Sequence, residues 1–405
     1  MFDNLPHSAL DPFDAAFLAD PYGGYAELRD AGPLVVLDRY GVVAMARHAE
    51  VHAALLDHEA FSSSAGVGID DFLKEPPWRP QSMLLEADPP AHDAPRRALS
   101  RVLSSQTIRE LRPVLASEAE RLAAHVARLG RIDGVKDIAE AYSLKVFPDA
   151  IGLPDEGRHQ LTAYSDMVFQ ALSQRNARFE ASLAAGAKAG AWLTACCQLD
   201  ALSKSGLGVR IHEAAVAEGL SADDASLLLR LFIAAGVDTT VHALGNALWC
   251  FAQHPAQWAL LRDDPSLARA AFEEVIRLES PLQAFFRTTT KDVSIGDAAL
   301  PSERKVLLLL GSANRDPRRW AAPERFDITR RTTGHVALGV GVHFCIGQML
   351  ARVQGEVLLA ALAQQIESIE QVGPVERKLS NTLRGLAALP LVVVPSAAAG
   401  RASSG

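Results

Sequence analysis

Cysteine is scarce in this chain of 405 residues: four in all, at positions 196, 197, 250 and 345. None of the others stands at zinc or disulfide spacing from Cys345, so neither a disulfide framework nor a zinc site is expected, and a reducing cytoplasmic setting is. Positive charge is in short supply too. The 40 Lys and Arg face 48 Asp and Glu, a net charge of −8, which argues against general binding to nucleic acid or an anionic membrane. The opening MFDNLPHSALDPFDAAF has acids early and no basic segment ahead of an apolar run, so no signal peptide is expected. No stretch reaches the roughly 20 apolar residues of a membrane span. The nearest, 227–249, is interrupted by Arg230, Asp238, His242 and Asn246. Internal repeats and interdomain linkers are missing as well. One soluble domain over residues 1–395 is expected, with a disordered tail at 396–405 (SAAAGRASSG).

What is present is apolar and mostly helical. At 49% hydrophobic residues the chain has ample material for a core. Apolar residues at three and four spacing predict helices over 118–129 and 267–280. Residues 225–253 are apolar nearly all round, the pattern of a long helix through the centre of the molecule. Strand patterns are fewer: a hairpin at 33–46 and short buried strands at 305–311 and 389–395. The expected class is mainly α with small β-sheets.

Cys345 sits in HVALGVGVHFCIGQML, just ahead of an apolar-periodic run that predicts a helix. Unpaired backbone N–H groups and the positive end of the helix dipole favour a thiolate there. Gly339 and Gly341 allow a tight turn close to something flat, and Gly347 leaves the sulfur uncovered. A flattened loop presenting one shielded thiolate suits the axial ligand of a haem iron. The plain alternative is a buried cysteine in a glycine-rich turn. A cysteine hydrolase built on Cys345 and His343 is disfavoured, because alternate residues of an extended loop point apart.

LGVGVHFCIG resembles the haem-ligand signature of the cytochrome P450 family, F-G-x-G-x-H/R-x-C-x-G, with Leu338 in place of the usual Phe. The resemblance runs over nearly the whole chain. It implies the P450 fold, a single large helical domain around a buried haem b, with Cys345 as axial ligand. Glu274 and Arg277 match the family's E-x-x-R, and Arg325 of PERF matches the arginine that completes that structural brace. DPPAHDAPRR resembles the segment facing the haem propionates. It nominates His92 and Arg96, with Arg287 and His343 as the other propionate donors. AAGVDTT resembles the oxygen-activating segment, where Asp238 would relay protons inward and Thr239 would steady the bound oxygen. From the residues alone, the Thr239 hydroxyl can bond back to the Ala235 carbonyl and loosen the helix.

KEPPWRPQSMLLEADPPAH, LQAFFRTTT and GSANRDPRRW resemble the bacterial branch that oxidises para-substituted benzoic acids such as 4-methoxybenzoate. That narrower resemblance implies Arg79 and Ser82 as carboxylate holders. It implies Leu85, Phe169, Leu172, Leu282 and Phe285 as apolar walls, with Arg230, Leu231 and Ala235 as further pocket positions. Leu231 stands where the branch has a serine, and Leu172 and Leu282 where it commonly has Phe and Val. Helical geometry turns Arg230 away from Thr239. The resemblance also implies O2 as co-substrate and, as electron donors, a [2Fe-2S] ferredoxin with its flavoprotein reductase. Arg96 and Arg97 are candidates to receive an acidic partner. A monomer is expected. A monooxygenase for a neutral terpenoid or aromatic, and a haem sensor without turnover, are the alternatives.

Overall fold

The computed structural model describes residues 4–397. Helices dominate, and the sequence-predicted ones are there: 118–129 within Ser105–Leu129, 267–280 as Ala268–Glu279, and 225–253 within Ala222–Gln253. The last of these organises the molecule. Its 32 residues span about 48 Å at 1.5 Å per residue. Ser221 and Asp224 start it with a reciprocal capping box, and Pro255 opens the next helix after His254 ends it. Two-thirds of its most apolar stretch is buried (67%), so the one helix long and apolar enough to cross a membrane among the described residues is the core helix of the fold. Helices Gln160–Gln170, Leu207–Ala217, Ala268–Glu279 and Gln348–Gln365 pack around it.

Among the described residues the strands form a six-stranded sheet and three smaller ones. In the large sheet the 33–46 hairpin pairs Val35–Leu37 with Val42–Met45, and Val43 lies parallel to Val306 of the strand Lys305–Leu309. That strand is antiparallel to Ala284–Thr289, which places Phe285 and Arg287 beside the core. The predicted strand at 389–395 is Pro390–Pro395. Of the expected tail, Ser396 is buried and its amide bonds to the Gln365 carbonyl, while 398–405 lie outside the described residues.

A buried ion pair braces the helix Ala268–Glu279. Arg277 and Glu274 are both fully buried and meet through two bonds of 2.7 and 2.9 Å. The third member is not the expected Arg325, whose exposed side chain pairs with Asp327. Arg330 fills the place: its Nε donates to Glu274 Oε1 at 3.0 Å. The turn at Asp327–Arg330 points Arg330 inward, and the Asp327 amide also donates to Glu274 at 3.1 Å.

Candidate functional site

Cys345 lies three residues ahead of the helix Gln348–Gln365. The loop before it turns through Gly339 and Gly341, whose φ of 67° and 73° favour glycine. At Gly341 a Cβ would also stand 2.8 Å from the Leu55 carbonyl oxygen. Burial pushes the Cys345 thiol up, against an N–H bond from Gly347 and the nearby charges of Arg96 and Arg352. The helix end is therefore not enough by itself to ionise the sulfur; a bound metal ion would be. The other three cysteines are buried.

Space for a flat group is visible in the burial pattern. Ala235 sits mid-helix between buried turns, yet is exposed, and Thr239 one turn on is half-buried. Leu338, Val340, Phe344, Ile346 and Met349 of the cysteine segment are apolar and only half-buried. The site of a Cβ on Gly347 is 4.0 Å from Phe232 of the central helix, so the cysteine loop faces that helix.

Beside this space the four nominated donors gather. His92 caps the helix Asp93–Val102, and its ring packs against that of His343 with centroids 4.8 Å apart. Arg287 is buried, donating to the Phe286 carbonyl at 2.8 Å. Arg96 is half-buried near Cys345. Asp88 faces this group of donors: it accepts from His343 at 3.1 Å, from Ser62 and from the Ser63 and Ser64 amides. Burial works against its charge, yet these bonds hold its carboxyl down at about 2. Burial lowers His92 to about 4 and Arg287 to about 10. His92 Nε2 is buried without a partner. Donors in excess of acceptors, one of them orphaned, fit a group that brings its own carboxylates, as haem does. His343 turns to Asp88 and not to Cys345, which removes the hydrolase pairing. Arg97 pairs with Glu218 at 2.8 Å and Arg96 turns inward, so neither is a free docking cation.

Thr239 Oγ donates to the Ala235 carbonyl at 2.6 Å, and Thr240 does the same to Gly236 at 2.8 Å. Two successive carbonyls thus accept a hydroxyl bond while the helix Ala222–Gln253 runs on unbroken; such back-bonding slightly weakens and bends a helix. Asp238 is buried, and Lys378 of the hairpin strand Glu376–Leu379 donates to it at 3.0 Å. Burial pushes the Asp238 carboxyl up, and Lys378 pulls it down. No local pattern pointed to Lys378, which is 140 residues away in sequence.

The nominated walls come together. Phe169 and Leu172 form a buried cluster with Val67 and Leu383, and Leu85, Leu282 and Phe285 pack against it. Val67 and Leu383 escaped the sequence reading because isolated apolar residues carry no signal. Leu231 is half-buried on the central helix. Arg230 Nη1 donates to Thr194 at 2.7 Å, on the helix Ala177–Cys196, and its Nε is buried without a hydrogen-bond partner. Arg79 is not free, because both Nη groups are held by Glu86 at 2.7 Å. Ser82 is buried, its hydroxyl accepting from the Leu85 amide at 3.0 Å.

Residues 132–389 match the family model described as Cytochrome P450. The chain is 49% identical over 393 residues to "Cytochrome p450 CYP199A2" of Rhodopseudomonas palustris, covering 97% of this chain and 95% of that protein. It is 31% identical to a beta-dihydromenaquinone-9 omega-hydroxylase of Mycobacterium bovis, covering 96% and 79%. Among solved structures, cytochrome P450 CYP109Q5 from Chondromyces apiculatus superposes with a TM-score of 0.79 at 30% identity, over 96% of this chain and 98% of that one. P450BioI, in complex with an acyl carrier protein ligated with hexadec-9Z-enoic acid, gives 0.82 at 25% identity, over 94% and 100%. With fold, cysteine loop and relatives in agreement, the chain belongs to the cytochrome P450 family of haem b monooxygenases.

Proposed function

We propose that this monooxygenase oxidises para-substituted benzoic acids, by O-demethylation of 4-methoxybenzoate or hydroxylation of its relatives. The observation that carries the reading is the apolar cluster of Phe169, Leu172, Leu85, Leu282 and Phe285, adjoined by the loop bearing Arg79 and Ser82. A small aromatic acid offers little area to grip, so a charge-assisted bond of roughly 1.5–3 kcal/mol matters for its orientation.

In this reading Cys345 holds the haem iron, and His92, Arg96, Arg287 and His343 hold the propionates. Haem, when bound, supplies the activation of O2. Asp238 passes protons inward from Lys378 and Asp166, and Thr239 holds the last proton donor in place. The apolar walls exclude water and present the para substituent. One oxygen atom enters a methoxy C–H bond and the other leaves as water, consuming two electrons and two protons. The hemiacetal then collapses to the phenol and formaldehyde. Electrons come from a [2Fe-2S] ferredoxin and its flavoprotein reductase, and the setting is cytoplasmic, with the chain acting as a monomer.

One observation favours a neutral aromatic instead: the Arg79 fork is already filled by Glu86, and Leu231 offers no donor. A binding-spectrum screen separates the two. Benzoates shifting the iron spin state, with the shift lost in Arg79→Ala, supports the acid reading; shifts by neutral aromatics alone refute it. Absence of the thiolate-type Soret band in the reduced protein under carbon monoxide would refute the role of Cys345.

A further inference from the structure

Glu86 carries its charge where charge is costly. Its side chain is fully buried and accepts four N–H bonds. Arg79 Nη1 and Nη2 supply two at 2.7 Å, the Ser82 amide one at 3.0 Å and the Val67 amide one at 3.3 Å. Burial opposes the charge, but the Arg79 bonds and the two amides outweigh it and hold the carboxyl below its ordinary value. Glu86 is thus ionised and fixed from three directions.

This leaves Arg79 half-used. A guanidinium presents two edges that match a carboxylate. The Nη1–Nη2 edge is occupied by Glu86, while Nε, on the other edge, is buried and without a partner. The guanidinium also lies near the rings of Phe72 and Trp78, at 5.5 and 5.9 Å, and Nη1 reaches the Pro80 carbonyl at 3.2 Å. Glu86 in turn touches the pocket wall through Val67, a member of the apolar cluster. An incoming acid therefore meets a neutral pair and not a bare cation. It either shares Arg79 with a second carboxylate or dislodges one held by two amides. Both are unfavourable for an acid and indifferent to a neutral ligand of the same shape.

We propose, resting on the reading that aromatic acids are the substrates, that Glu86 is a specificity-determining residue. It is an internal competitor for Arg79 that lowers acid affinity and narrows the preference of the site for acids over neutral isosteres. Deleting its charge has two opposed effects: repulsion disappears, and Arg79 is less firmly held. The first prevails, because Arg79 keeps its ring contacts and the Pro80 carbonyl, whereas the charge goes entirely.

The test measures benzoate and benzamide binding to haem-loaded protein by equilibrium dialysis. Glu86→Gln is expected to tighten benzoate about tenfold and leave benzamide within about twofold, and adding Arg79→Gln should abolish the gain. Glu86→Met, neutral and similar in length, should reproduce it, so whichever variant loads haem decides. Unchanged or weaker benzoate binding overturns the proposal. Failure of both variants to fold also overturns it, since Glu86 would then be a scaffold clamp. A wild-type protein that binds benzamide but not benzoate refutes the acid reading itself. Benzoate binding without the gain refutes this inference alone.

Discussion

Lys378 Nζ lies 3.0 Å from Asp238 Oδ2 and 3.5 Å from Asp166 Oδ1. One ammonium thereby joins a C-terminal hairpin, the central helix and the helix Gln160–Gln170. Asp238 is buried while Lys378 and Asp166 keep partial exposure, at 28% and 23% of their side chains. The three run from part-exposed Lys378 and Asp166 to buried Asp238, the neighbour of Thr239 in sequence.

Lys378→Met should therefore impair proton delivery. Burial raises the Asp238 carboxyl and Lys378 lowers it, so removing the lysine moves that carboxyl further up. A proton donor must be protonated to act, so the alkaline limb of the turnover–pH profile should shift to higher pH. Product formed per NADH consumed should fall about tenfold, less than the 10²–10⁴-fold of a whole general acid because Asp238 itself remains. Lys378→Arg should retain most coupling. Product and NADH measured between pH 6 and 9 would check this; unchanged coupling in Lys378→Met refutes the path.

Arg330 and Arg325 should differ sharply as alanines. Arg330 supports a fully buried glutamate, and its loss should cost about 2 kcal/mol, tempered because Glu274 keeps Arg277. Arg325 is a surface partner of Asp327, and its loss should cost less than about 0.5 kcal/mol. Urea midpoints of the two variants decide the matter.

His242 should make stability fall with acid. Burial first, then the charge of Lys378, drives its ring down to about 3; neither ring nitrogen has a hydrogen-bond partner, and Nε2 lies 3.9 Å from Asp238 Oδ2. Between pH 6.5 and 3 the unfolded chain binds the proton that the native ring refuses, so stability rises with pH across that window. The slope is about 1.4 kcal/mol per pH unit. His242→Leu should remove one proton's worth of that slope, read from urea midpoints at pH 7 and 4.5.

Gly385→Ala should clash with the same ring. A Cβ there would sit 2.0 Å from His242 Nδ1, and the ring is 2% exposed with nowhere to move. A loss of about 1–3 kcal/mol is expected. Combining it with His242→Ala should recover part of the loss, a coupling that a double-mutant cycle measures.

Legibility followed distance along the chain. Glu274 and Arg277 were readable because i,i+3 puts them on one helical face. The Thr239–Ala235 bond followed from i,i−4 geometry, and Cys345 from glycines within six residues of it. Arg325 is the arginine that the PERF motif contains, while the turn at 327–330 is what brings Arg330 inward to Glu274. Arg79 was readable as a candidate, but its occupancy by Glu86 was not, since seven residues of irregular loop have no period from which to infer contact.

By itself, then, the sequence determined the long helices, the cysteine loop and the Thr239–Ala235 bond, all set by torsions and bonds that reach about four residues. Only the folded chain decided that Lys378 neutralises Asp238, that Asp88 answers two histidines and an arginine, and that Val67 and Leu383 close the apolar cluster. Those pairings are chosen by burial. A charge or an apolar face removed from water takes whichever partner packing brings near, however far away in sequence it began.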